Sequence, residues 1–307
     1  MKVRNNLGQK MPANLAIRAF EILRNEGARS LAHSTKRFAR RRTEHFKYDI
    51  DRHIDKRKYK ESYPSRDKLI YANPEKVEYY QLESKETDWN YREKIEEEVA
   101  HLYEMDKAGF RRRINAGRII GGNWDKQKRE WSEHGLYNSL KHIYQEGGNW
   151  EETEFIKHCL NRIEKGYSSY GYETKEEFLN NRIPYIENLY ESIREEGYQR
   201  QDQAPADHRN KDIFHEVSVN IGRDGELIFN NRSGQHRLSL SRILNIEEIP
   251  MIVIVRHKKW QEVRKEIHES NTISELSPKA KENITHPDVQ DVISNEMIQS
   301  TADHDLP

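Results

Sequence analysis

The chain has 307 residues, 34% hydrophobic and 34% charged, with 52 Lys and Arg against 52 Asp and Glu. That length suits one large or two small domains, and the polarity calls for a modest core with solvated helices. The single cysteine, Cys159, excludes a disulfide framework or a cysteine-rich zinc site within one chain, and a net charge of zero makes every electrostatic argument a local one. No apolar run approaches the roughly 20 residues of a membrane span, and the start Met-Lys-Val-Arg lacks the apolar core of a secretion signal, so a cytoplasmic protein is expected.

In chain order, Leu15, Ile17, Ala19, Phe20, Ile22 and Leu23 recur at helical spacing over residues 12–25, and Gly27 is the stop. Between Lys36 and Lys60 eleven Lys and Arg face four acids, with Phe38, Phe46, Tyr48 and Tyr59 interleaved. Two readings stay open for that stretch. Arg40, Arg41 and Arg42 suit contact with nucleic-acid phosphates, and an anionic lipid surface has the same appeal; or the stretch is a solvated helix with its aromatics turned to a core. Residues 1–65 are expected as a basic, helical region.

Residues 68–80 read as two short extended pieces turned at Asn73-Pro74. Residues 95–115 are charged and periodic, as a helix is. Arg118-Ile119-Ile120 reads as a short buried strand closed by Gly121-Gly122-Asn123-Trp124-Asp125. Gly-Gly-Asn-Trp returns at 147–150 and leads into a helix to Lys165, where Thr153 is a cap candidate. A further helix over 174–196 carries Pro184 inside and Gly197 at its end. Residues 66–180 are thus expected to be mainly helical, with short strands, packed on the core.

The last third changes character. Residues 216–221 alternate β-branched positions, Gly222-Arg223-Asp224-Gly225 makes a hairpin turn, and 226–230 return as a second strand. Leu238, Leu240, Ile243 and Leu244 mark one face of a helix that begins at Gln235. Met251-Ile252-Val253-Ile254-Val255 is a continuous apolar run, which predicts a central strand buried on both faces. Residues 260–269 are again helical, and 271–307 are expected as a partly disordered tail.

Chemistry concentrates in Asn231-Arg232-Ser233-Gly234-Gln235-His236-Arg237, between a strand and a helix. The first turn of a helix has bare N–H groups and a positive dipole end, and both favour an anion. Gly234 lets a ligand oxygen come close, Ser233 caps or donates, Arg237 offers a fork to phosphate, and His236 is a partly charged donor. The plain structural alternative is a capped helix whose His and Arg face water. Arg256 and His257 leave the carboxyl end of the buried strand, where ligands of α/β sheets gather. Asp125 and Glu226 are candidates for holding a metal or acting as base. His-Glu-x-x-His, the phosphate loop Gly-x-x-x-x-Gly-Lys-Ser/Thr and Gly-x-Ser-x-Gly are all absent.

With helix 186–197, hairpin, the turn Gly234-Gln235-His236-Arg237, and Ile249-Pro250 leading the last strand, residues 181–270 resemble the ParB/sulfiredoxin superfamily. Ser233-Gly234-Gln235-His236-Arg237 is similar to the Asp-Gly-His-His-Arg turn of a ParB-like free serine kinase. Ala72-Asn73-Pro74, Gly121-Gly122-Asn123-Trp124-Asp125, Arg256-His257 and His286-Pro287-Asp288 look like those of archaeal and viral ParB-like proteins. The resemblance implies an α+β fold whose small mixed sheet follows a largely helical N-terminal region. It implies a nucleotide, ATP or CTP with Mg²⁺, held at residues 233–237. Sulfiredoxins place a reactive cysteine where this chain has Gln235, so sulfiredoxin chemistry is not expected. Three functions remain open: a nucleotide-dependent phosphotransferase or NTPase with Asp125, Glu226 or His236 as catalytic groups; a DNA-binding, partition-like regulator switched by nucleotide; and a module that kept the fold and lost the ligand.

Overall fold

The strand β7, Ile249–His257, runs through the middle of a seven-stranded mixed sheet. The computed structural model describes Arg24, Thr35, Phe46, residues 48–81, 115–203, 212–231 and 233–294, and Met297. All nine residues of β7 are buried. Ile249, Met251 and Val253 join one apolar cluster, and Ile252, Ile254 and Val255 join another, so the uninterrupted apolar run is covered on both faces.

One edge of β7 pairs in parallel with β5, Val217–Ile221, through a bulge after Val219. Its other edge is shared end to end by β1, Leu69–Ala72, which is antiparallel to residues 249–252, and β3, Arg118–Ile120, which is parallel to 255–257. Beyond β5 lie β6, Leu227–Phe229, then β2, Tyr79–Gln81, then β4, Lys128–Glu130. Four of the seven strands therefore come from residues 69–130, and the sheet expected of residues 181–270 is completed by the chain before it.

Period-two alternation in β5 and β6 decides the two faces. Val217, Val219, Ile221, Leu227 and Phe229 enter the larger cluster. Asn220 points to the other side, fully buried. There Asn230 donates to its carbonyl at 2.8 Å, Asn220 donates to Gln81 at 3.4 Å, and Gln81 donates to the carbonyls of Trp124 and Gln127 at 3.0 Å each. A chain of amides thus offsets the cost of burying polar groups in the sheet.

Helices α1, Gly135–Tyr144, α2, Glu154–Glu164, α3, Lys175–Glu196, and α4, Gln235–Ile243, form a second core through Leu140, Phe155, Cys159, Phe178, Ile186 and Leu240. Their starts follow capping chemistry: Thr153 accepts from Ile156 N–H and Thr174 from Glu177 N–H. Pro184 lies inside α3 without ending it, and Gly197 closes it at φ 77°. Leu238 of α4 crosses into the sheet's cluster, as do Trp260, Val263 and Ile267 of α5, Lys258–Glu269.

The chain divides into two units, Met1–Ile54 and Asp55–Pro307. In the first, residues 48–54 are helical, and Phe46, Ile50 and Ile54 are exposed rather than turned to a core. In the second, Tyr59 is buried and donates to Glu262 at 2.9 Å. The helices expected over 12–25 and 95–115 lie outside the described residues, apart from Arg24 and Asn115. Among the described residues no helix is long and apolar enough to cross a membrane.

Residues 271–292 are not the tail that fading periodicity suggested. Leu276, Ala280 of the short helix α6, Pro278–Glu282, and Val289 and Val292 are buried in the sheet's cluster. The cause is ionic as well as apolar. Asp288, fully buried, accepts from Arg256 Nε at 2.9 Å and from Trp260 Nε1 at 2.9 Å. Arg264 stands 3.4 Å and Lys68 3.4 Å from the same carboxylate. Burial raises the Asp288 pKa, but the guanidiniums of Arg256 and Arg264 outweigh it and hold the carboxyl well below the usual range. Asp291, half exposed, takes Arg264 at 3.0 Å and also pairs with Lys68. Three cations thus meet on two carboxylates.

Removing the buried carboxylate leaves the fully buried Arg256 guanidinium without its carboxylate partner and Arg264 with only the half-exposed Asp291. Asp288→Asn is therefore expected to cost about 3–5 kcal/mol in urea unfolding. Asp291→Asn, at the exposed end, is expected to cost less than about 1 kcal/mol. Equal losses from the two variants would mean that the buried network does not anchor the C-terminal segment.

Candidate functional site

The turn between β6 and α4 is built by two left-handed residues. Asn231 has φ 59° and Gly234 has φ 88°. A Cβ on Gly234 would lie 2.6 Å from Val217 Cα, so only glycine lets the turn rest on β5. Ser218 N–H donates to the Ser233 carbonyl at 3.1 Å and ties the turn to that strand. Leu238 N–H closes the first helical bond to the Gly234 carbonyl at 2.8 Å. The N–H groups of Gln235, His236 and Arg237 then find no acceptor among the described residues. No side chain caps them, because Ser233 donates its hydroxyl to the His215 carbonyl at 2.9 Å.

These residues wall a polar cleft of about 300 Å³. Its other walls are Tyr185 and Leu189 of α3, Gln201, His215, Phe229 and Asn231. The turn singled out in the sequence is therefore at a cavity, yet its side chains are disposed differently from the expectation. Arg237 donates to Tyr198 Oη at 2.8 Å, to Glu216 Oε2 at 3.1 Å and to the His215 carbonyl. Glu216 is fully buried and also accepts from Tyr198 Oη at 2.7 Å and Gln201 N–H at 2.5 Å. The guanidinium of Arg237 is thus neutralised by a carboxylate from the strand entry. Gln235 donates to Tyr170 Oη at 2.9 Å. Arg232 lies outside the described residues.

His236 is 7% exposed. The edges of its ring meet Phe155 and Tyr170, each 5.8 Å between centroids. Arg182 of α3 places a guanidinium nitrogen 3.0 Å from its Nε2. Burial, with Arg182 adding to it, pushes the imidazole pKa well below its ordinary value. His236 is therefore neutral, not the partly charged donor expected. Arg182 itself lies 4.0 Å from the centroid of the Tyr170 ring and 4.8 Å from that of Tyr185. It is the functional candidate that reading along the chain missed, because Asn181-Arg182-Ile183 carries no local motif within a polar helix.

The remaining candidates lie elsewhere. Val217 pairs with Met251 and Ile221 with Arg256, so the cleft and the carboxyl end of β7 occupy opposite ends of β5, about 13 Å apart at strand rise. At that far end Asp125 accepts from Arg223 Nε at 2.7 Å and Arg223 N–H at 3.0 Å. Burial raises its pKa, but the Arg223 hydrogen bonds prevail and hold it low. His257 hydrogen-bonds the Gly122 carbonyl at 3.1 Å and accepts from Lys259 N–H. Glu226 pairs with Lys128 at 2.7 Å and accepts from Asp224 N–H. Arg256 belongs to the Asp288 network. These groups lock the 121–125 loop to the 222–226 hairpin and do not meet Ser233–Arg237. Arg40, Arg41 and Arg42 lie outside the described residues.

His134 supports the cleft from behind. It stacks on Trp131 at 4.5 Å, sets its edge on Phe229, accepts from Tyr137 N–H at its Nδ1, and hydrogen-bonds the Asn231 side chain. Burial pushes its pKa down to about 4, opposed only by Asn231. No family model matches the chain, and neither a curated protein nor a solved structure matches it.

The buried imidazole makes stability depend on pH. The unfolded chain takes up a proton near pH 6.5, and folded His134 only near 4. Its contribution is complete above about pH 6.5 and is lost as pH falls toward 4, by roughly 3 kcal/mol in all. His134→Gln is expected to flatten the pH slope of urea-unfolding stability between those limits by nearly one proton. An unchanged slope would show that folded His134 titrates normally.

Proposed function

We propose that the protein binds a nucleotide by its phosphate in the cleft at the start of α4, in the manner of a ParB/sulfiredoxin-like module. One observation carries this reading: a polar cleft of about 300 Å³ lined by Gln235, His236 and Arg237, whose helix-start N–H groups find no acceptor among the described residues. Bare amides and the helix dipole favour an anion there. The volume falls at the small end of small-molecule pockets. The β5–β6 hairpin, the glycine turn, α4 and the central strand β7 follow in the order that the resemblance implies.

The described residues around the cleft do not fit a protein-held magnesium ion. Glu216 is taken up by Arg237, Tyr198 and Gln201, and Asp125 and Glu226 belong to the far end of the sheet. A divalent cation would arrive with a polyphosphate rather than wait in the site. His236, neutral and pressed against a guanidinium, is a weak base. The reading accordingly rests on binding, and phosphoryl transfer is not assigned to any residue.

Titration calorimetry of the full chain with AMP, CMP, ATP, CTP and GTP, the triphosphates with Mg²⁺, tests it. A dissociation constant on the order of 10–100 μM is expected for at least one of them. No heat of binding from any of the five at millimolar concentration would overturn the reading.

A further inference from the structure

The strand β1 stands at the edge of the sheet. Its partner is β7, and its other side meets no strand among the described residues. In an antiparallel pair alternate residues turn their N–H and C=O groups away from the partner. On β1 those groups meet no donor or acceptor among the described residues. A row of unpaired groups at a sheet edge is a template for a further strand.

A cavity of about 570 Å³ follows that row. Residues 68–73 line it one after another, and β1 alone spans about 13 Å at strand rise. Glu247 and Glu248, which lead into β7, line it as well, as do Pro287 and Asp291 of the C-terminal segment. The edge therefore lies in a groove and not on a ridge. The faces of β1 differ: Ile70 and Ala72 are buried in the sheet's cluster, and Tyr71 is 43% exposed, its hydroxyl accepting from Arg200 at 2.9 Å. Alternate side chains of an added strand would continue the one face and the other.

Charge decides which chain fits. Lys68 is held by Asp288 at 3.4 Å and by Asp291. Glu247 and Glu248 are exposed and meet no cation among the described residues. They stand at the Ala72 end of the groove, because Ala72 pairs with Ile249. Lys76, which also lines the groove, has no carboxylate partner among the described residues. One positive against two negative charges leaves the free charge of the groove negative.

We propose that the edge of β1 binds an extended peptide by strand addition, with a lysine or arginine of the peptide set against Glu247 and Glu248. Backbone groups supply the binding and the two carboxylates the preference. A second copy of this chain fits less well, since an edge recessed in one groove does not enter the equal groove of a partner. This groove and the cleft at α4 share no lining residue, so the proposal stands apart from the nucleotide reading.

Calorimetry of the full chain with the capped peptide Lys-Val-Thr-Val-Thr-Val-Lys, and with the same peptide ended by Glu on both sides, tests it. The lysine peptide is expected to bind with a dissociation constant on the order of 100 μM, and the glutamate peptide at least fivefold more weakly. In the double variant Glu247→Lys, Glu248→Lys, both at exposed positions, that order is expected to invert. Methylating the amide nitrogens of the valines, and in another peptide those of the threonines, separates strand pairing from charge, because the two sets face opposite sides of a strand. One methylated peptide is expected to lose binding and the other to stay within threefold of the parent. No heat from the lysine peptide at millimolar concentration overturns the proposal. Equal affinity for the lysine and glutamate peptides overturns the part given to Glu247 and Glu248, and equal effects of the two methylations overturn strand pairing. A dimer in sedimentation that the lysine peptide dissociates makes a second copy the occupant and overturns the peptide.

Discussion

Gly234 rests on the backbone of Val217, at a distance that a single methyl group would close. That approach places the first amides of α4 beside the entry of β5 and opens the cleft between α4 and α3. It depends in turn on β5 being held in register against β7, whose buried run spans the sheet. Apolar burial on both faces of β7 fixes the strands, and the left-handed turn fixes the helix to the strands. The position of every donor in the cleft follows from those two constraints.

The electrostatics of the molecule divide along β5. At one end, charges are paired almost to exhaustion: Asp125 with Arg223, Glu226 with Lys128, Asp288 with Arg256. Such pairs cost about as much to desolvate as they return, and they act chiefly to join segments distant in sequence. At the other end, donors accumulate without acceptors around His236. The contrast separates charges that hold loops together from donors that gather at the start of α4. A motif such as His-Arg does not show to which kind each residue belongs, since Arg237 is of the first kind.

Much of the fold was legible because it is written in local periodicity. The alternation of Val217, Val219 and Ile221, the Asp224-Gly225 turn and the run from Met251 to Val255 produced strands where they were expected, and Thr153 and Thr174 cap the helices that follow them. The boundary near residue 271 was not legible. Residues 273–292 alternate too little to signal a core element, and what anchors them, beside a few buried apolar side chains, is Asp288, whose ionic partners lie 24 to 220 residues earlier. The joining of β1 to β4 to the same sheet was likewise invisible, since strands of three or four residues carry almost no pattern of their own.

The candidate site shows the same division. The sequence by itself determined that a helix begins after a glycine at residue 234, and hence that bare amides gather there, because both follow from bonds within a few residues. Only the tertiary structure decided which side chains stand beside those amides. Glu216 reaches Arg237 and Arg182 reaches His236 across 21 and 54 residues of chain. Protonation and pairing are set by such neighbours through burial and Coulomb forces, and these depend on distance in space rather than on order along the chain.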